Sequence, residues 1–138
     1  CSKLWIWPNA VAATAASREL GRPVQLVVPR AQMFTTTGHR PATHQNIKLG
    51  ADANGKLQAI VHDSVNSTSF VGHYVETCGS VTKSLYDCDN VRVTHATAQV
   101  NQGTPTSMRA PGAAPGLFAL ESAIDELAEK IGMDPLAL

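Results

Sequence analysis

Leu117, Leu120, Ile124, Leu127 and Ile131 recur at spacings of three and four, which puts them on one face of a helix with Glu121, Asp125 and Glu129 opposite. Gly132 follows where a left-handed cap would end that helix. A second helix is predicted from Pro8 or Asn9 to Leu20. Ala10, Val11, Ala12, Ala13, Ala15 and Ala16 suit helical backbone, and Gly21 is placed to stop it. So many alanines allow close packing of a helix on a sheet. Trp5 and Trp7, just ahead, read as core or lid aromatics.

Elsewhere the period shortens to two. From Thr43 to Leu49, residues Gln45, Ile47 and Leu49 alternate with His44, Asn46 and Lys48. Between Leu57 and Val65, residues Leu57, Ala59, Val61 and Val65 share one parity. The Asn54-Gly55 pair between the two runs is a strong short-range turn signal, so residues 43–66 read as an antiparallel hairpin. Val91 to Val100 reads as a further strand. Val24 to Val28, bounded by Pro23 and Pro29, reads as a short buried one. Residues 31–42 look irregular, and residues 67–90 read as a loop with a short helix near 75–86. The expected class is α+β: a largely antiparallel sheet packed with two main helices, in a single domain over residues 1–138.

Composition narrows the function classes. The 138 residues carry no formal net charge, 43% are hydrophobic and 16% charged. With no basic block, nothing supports electrostatic attraction to nucleic acid or anionic lipid. No apolar run is long enough to span a membrane. Cys1, Cys78 and Cys88 form no CxxC pair, so no zinc or iron–sulfur site is expected, and free thiols are favoured over a Cys78–Cys88 bridge. His39, His44, His62, His73 and His95 show no metal-ligand spacing, and no residue is assigned to a metal. The first residue is Cys1 rather than Met, and Asp134-Pro135 reads as a helix start three residues before the last. A piece of a longer chain is expected.

Candidate chemistry concentrates in one loop. Residues 103–116 hold Pro105, Pro111, Pro115, Gly103, Gly112, Gly116 and a single Arg, Arg109, and run straight into the amphipathic helix. Stiff Pro and permissive Gly together let a backbone come close to something bulky, with a cofactor or substrate the natural candidate. Ser2, Ser107 and the Thr35–Thr37 run lack the partner that marks a nucleophile. Glu76 with His73 and Tyr74 forms a polar cluster in an irregular segment, for which a plain loop is the expected reading.

Three passages resemble a known family. Ser2-Lys3 and the Ala-rich helix resemble the end of a GGGFGxK loop and the helix after it. Residues 21–59, GRPVQLVVPRAQMFTTTGHRPATHQNIKLGADANGKLQA, and residues 108–138, MRAPGAAPGLFALESAIDELAEKIGMDPLAL, resemble stretches of the molybdenum-binding large subunit of the xanthine dehydrogenase/aldehyde oxidase family, its bacterial aldehyde-oxidising members above all. The resemblance implies a molybdenum–molybdopterin cofactor and oxidation of aldehydes or N-heteroaromatics with oxygen from water. The implied partners are the remainder of the large subunit and iron–sulfur and FAD subunits. It also implies that Arg109, Ala110 and Gly112, with Ser2 and Lys3 from the other loop, contact the cofactor, and that Pro111 and Leu4 flank the substrate channel.

Departures from the family pattern shape the expectation. Cys1 stands where a Gly belongs, and the region bearing the family's base Glu has no counterpart, so no catalytic residue is assigned and the isolated chain is expected to be inactive. Purine oxidisers carry a Glu at the place of Leu4 and an Arg near Thr77, so purines fit poorly. The alternative reading is a non-catalytic α+β module that binds a small molecule or associates with itself as a homo-oligomer.

Overall fold

The computed structural model describes residues 6–138, so Cys1, Ser2, Lys3, Leu4 and Trp5 lie outside the described residues. Four helices and three strands follow in order: α1 (Pro8–Leu20), α2 (Arg30–Thr36), β1 (Thr43–Ala51), β2 (Leu57–Thr68), α3 (Thr82–Leu85), β3 (Val91–Gln99) and α4 (Ala113–Ile131). A 3-10 turn, Cys78–Ser80, precedes α3. The class is α+β, as the sequence predicts.

β2 is the central strand. It pairs with β1 as the antiparallel hairpin foreseen around Asn54-Gly55, with Ile47 opposite His62 and Leu49 opposite Ile60. On its other side β3 runs parallel to it, with Val93 opposite His62. A parallel neighbour needs a crossover, and residues 69–90 supply it. That segment is therefore more than a connector, because it must pass over one face of the sheet.

α4 packs across β1 and against the 3-10 turn, burying Gly116, Leu120, Ile124 and Ala128. Leu57, Ile60 and Ile124 form the apolar core, flanked by Leu49, Tyr86, Val91 and Leu127. Gly132, with φ 71°, ends α4 at the expected place. Asp134 caps the following turn by accepting the Leu136 N–H at 2.8 Å. α1 forms over the predicted span but buries no residue, so of the two main helices only α4 supplies the core. Among the described residues no helix is long and apolar enough to cross a membrane.

Two sequence expectations fail. Val24–Val28 is not a strand: it runs as extended coil, with Val27 74% exposed. Its prolines at either end offer no N–H to a ladder, and no neighbouring strand pairs with it. Residues 31–42 are not wholly irregular, because Arg30–Thr36 forms α2. Its end is set by threonines, whose hydroxyls donate back to carbonyls: Thr36 to Gln32 at 2.7 Å and Thr37 to Met33.

The parity that marks β2 in the sequence is also not the one it mainly buries. His62, Ser64, Asn66 and Thr68 point inward, while Val65 is exposed. Such a polar inner face is tolerable only if every group is paired. It is, because the crossover supplies most of the partners, with Gln45 on β1 and the Thr94 carbonyl on β3, which accepts from Ser64 at 3.2 Å, supplying the rest. Asn66 donates to the Tyr74 carbonyl and accepts the Glu76 N–H, both at 3.0 Å. Thr68 accepts the Tyr74 N–H at 3.1 Å. His62 sits between Thr82 Oγ1 at 2.7 Å and Gln45 Oε1 at 2.9 Å. Gln45 uses its carboxamide N–H₂ on the Pro115 carbonyl, which leaves its oxygen to accept from His62 Nε2–H.

Burial of this kind disfavours the charged form of His62. Burial lowers its pKa, with His95 lowering it further, and burial lowers that of His95 as well. The folded state resists protons that the unfolded chain takes up near the ordinary value of 6.5, so stability present above that pH is lost as pH falls below it. The thermal midpoint of the intact protein is expected to drop between about pH 7 and about pH 5, and His62→Gln to flatten that slope. A midpoint flat across the window in the unsubstituted protein would contradict the assignment.

Candidate functional site

The Arg109 loop leaves the end of β3 and returns as α4. Its first half is tied to the segment after α2, where the Thr106 N–H donates to the His39 carbonyl at 3.0 Å. There it borders a cleft of about 770 Å³ lined by Met33, Phe34, His39, Arg40, Gln102 and Met108, among others. Trp7, half-buried, lies beside Gly38 and Thr106 at the cleft's back.

The second half, Arg109 to Gly112, is a tight turn of unusual hand. Gly112 has φ 71° and ψ −45°, and the Ala113 N–H donates to the Pro111 carbonyl at 2.8 Å. That is a γ-turn of the rare hand, strained for any residue with a side chain. Ala110 also takes a positive φ, 54°, which costs an L-residue about 1–2 kcal/mol. Strain of this kind persists only where the surroundings over-determine the backbone.

Here the surroundings are a buried carboxylate and a guanidinium. The Glu76 carboxylate is fully buried and accepts the Gly112 N–H, the Tyr74 hydroxyl at 3.2 Å and Arg40 Nη1 at 3.3 Å. Arg40 turns its other terminal nitrogen, Nη2, to the Arg109 carbonyl. One ion pair thus grips both ends of the turn. Burial raises the pKa of the Tyr74 phenol, and the adjacent Glu76 carboxylate adds to the rise. Burial likewise pushes the Cys78 thiol up, so this cysteine is poorly suited to act as a thiolate.

Arg109, Ala110 and Pro111 themselves are exposed, and Gly112 is buried beneath them. Among the described residues the backbone N–H groups of Arg109 and Ala110 meet no protein acceptor. What Gly112 and Gly116 approach closely is the chain itself. A Cβ at Gly112 would overlap the Thr77 carbonyl, and one at Gly116 the Cys78 carbonyl. The crossover segment thus accounts for the need for glycine at both positions. Glu76, read as part of a plain loop, is the buried anchor of the turn. His73, grouped with it, is exposed and takes no part. The signal for Glu76 was thin: an acidic residue between Val75 and Cys78, with its cation 36 residues away.

A model of the family described as the molybdopterin cofactor-binding domain matches residues 2–138. The chain belongs to this family. Its similarity to the aldehyde oxidoreductase molybdenum-binding subunit PaoC of Escherichia coli (strain K12) is 43% identity over 134 residues, 97% of this chain and 18% of that subunit. The aldehyde oxidoreductase of Megalodesulfovibrio gigas is 35% identical over 133 residues, 94% of this chain and 14% of that protein. In structure the chain superposes on the aldehyde oxidoreductase from Desulfovibrio desulfuricans ATCC 27774 with a TM-score of 0.76 and 27% identity, covering 97% of this chain and 15% of that one. The chain therefore spans less than a fifth of the length of these relatives.

The geometry suits the group after which the molybdopterin cofactor-binding family is named. Such a group presents anionic oxygen and sulfur ligands, and the turn offers two backbone N–H groups that meet no acceptor among the described residues, on the exposed Arg109 and Ala110. The carboxylate that shapes the turn is buried behind it, where it does not repel an anion. Among the described residues no group of three or more His, Cys, Asp or Glu side chains converges as a metal site.

Proposed function

We propose that this chain is one portion of the large subunit of a molybdenum hydroxylase and forms one wall of its molybdopterin site, with aldehydes or uncharged N-heteroaromatics as substrates. The observation that carries the reading is the Arg109–Gly112 turn, clamped by Arg40 and Glu76, whose Arg109 and Ala110 N–H groups meet no acceptor among the described residues. The names of the two aldehyde oxidoreductases above favour aldehydes, as does the resemblance, which puts Leu4, and less strictly Thr77, where purine oxidisers carry charged residues.

When bound, the molybdenum–pterin group supplies the oxidation, drawing two electrons from the substrate while water supplies the oxygen. This chain's residues bind and orient. The amides of Arg109 and Ala110 donate to anionic atoms of the group, and the fixed turn presents them without reorganisation as charge develops. Pro111, rigid and without an N–H, borders the substrate's route without competing for its polar atoms. By the resemblance Ser2 and Lys3 would also contact the group and Leu4 would flank the channel, although all three lie outside the described residues. The general base and most pterin contacts belong to the remainder of the large subunit, and electrons leave through iron–sulfur and FAD partners.

Analysis of the full-length protein for molybdenum and pterin, together with dye reduction driven by an aromatic aldehyde or by hypoxanthine, tests this reading. Molybdenum with aldehyde-driven reduction is the expected result. Protein purified with its partner subunits that lacks molybdenum, or that prefers hypoxanthine, overturns it.

A further inference from the structure

Glu76 is fully buried, and together with Arg40, which also lines the cleft, it meets both ends of the turn. We propose that this pair is a positioning device: it sets the backbone of Ala110 and Pro111, and with it the direction of the Arg109 and Ala110 N–H groups. The role in turnover rests on the molybdenum reading above, whereas the clamp itself does not.

The connections form a closed ring. The Arg109 carbonyl accepts from Arg40 Nη2, Arg40 Nη1 meets Glu76, Glu76 accepts the Gly112 N–H, and the chain from Arg109 to Gly112 completes the circuit. Only a planar fork serves here, because one guanidinium nitrogen addresses a carboxylate while another addresses a carbonyl; a lysine ammonium offers a single point of charge. Glu76 in turn is not free to move. Its own N–H is held by Asn66 on the central strand, and Tyr74, two residues earlier, donates to its carboxylate. The pair thus transmits the position of β2 to the turn. Arg40 is placed from the opposite side, between α2 and β1, where the neighbouring His39 carbonyl accepts from Thr106.

Hydrogen exchange read by mass spectrometry on the full-length protein tests this. Glu76→Gln and Arg40→Lys are expected to speed exchange in peptides spanning 109–114 by about tenfold to a hundredfold, the range a lost hydrogen bond to a charged group implies, while peptides from β1 and β2 stay unchanged. Loss of one partner leaves the other charge unpaired and can unfold the region, so the neutral double variant Arg40→Met with Glu76→Gln is measured as well. It should melt close to the unsubstituted protein yet still exchange faster at the turn. In enzyme carrying molybdenum, kcat should fall while KM changes little, because orientation rather than access is lost. Exchange at 109–114 unchanged in a folded double variant overturns the clamp. A kcat that holds while exchange rises overturns its role in turnover. Molybdenum missing even from the unsubstituted protein removes the function reading alone, since the exchange contrast stands or falls without it.

Discussion

Gly116→Ala is expected to destabilise the protein by about 3 kcal/mol or more, although the same change in an exposed helix interior would stabilise it by up to about 1 kcal/mol. The sign reverses because of what lies opposite. Gly116 is buried in the first turn of α4, and an added Cβ would overlap the carbonyl of Cys78, a backbone atom that cannot swing away as a side chain does. Cys78 is fully buried and begins the 3-10 turn, whose Gly79 N–H is bonded to His95 at 3.1 Å. The helix is fixed too, because the Pro115 carbonyl accepts from Gln45 at 3.1 Å. Neither backbone has room to yield. A denaturant melt of the intact protein measures the loss, and a midpoint equal to that of the unsubstituted protein would show that the two segments are not rigidly apposed.

Gly112→Ala should cost about 2–4 kcal/mol and, in the full-length protein, lower the molybdenum content as well. The backbone at Gly112 occupies a γ-turn well hostile to any Cβ, and the Cβ would also overlap the Thr77 carbonyl. Relief requires the turn to change hand, which carries the Gly112 N–H away from Glu76. The buried carboxylate then keeps Arg40 and Tyr74 as partners but loses its backbone donor. Metal analysis alongside the melt separates the two consequences. Full molybdenum content in a destabilised variant would mean that the turn's shape does not matter to cofactor retention.

Local pattern alone placed α4, α1 and the β1–β2 hairpin. Their signals are short in range: a 3.6 period from Leu117 to Ile131, an alanine run closed by Gly21, and alternation on either side of Asn54-Gly55. The same logic misread Val24–Val28, because a run of branched apolar residues resembles a buried strand whether or not a partner exists. It also misjudged β2, where Val61 and Val65 made one parity look like the interior. The strand instead buries His62, Ser64, Asn66 and Thr68, whose partners come from the crossover, from Gln45 and, for Ser64, from the Thr94 carbonyl of β3. Polar residues look like a solvent face in a sequence, and only the segment that pairs with them shows otherwise.

The sequence by itself determined the class, the principal elements, the family resemblance and the loop at Arg109 as the place to look. It did so because helix and strand periods, turn residues and the MRAPG run are written in neighbouring positions. Only the tertiary structure decided why that loop has its shape. Glu76 lies 36 residues from both Arg40 and Gly112, and Arg40 lies 69 from Arg109, so no local pattern records their meeting. The contact exists because the central strand positions the crossover, the crossover buries Glu76, and the buried charge finds its partners in a guanidinium and a backbone N–H.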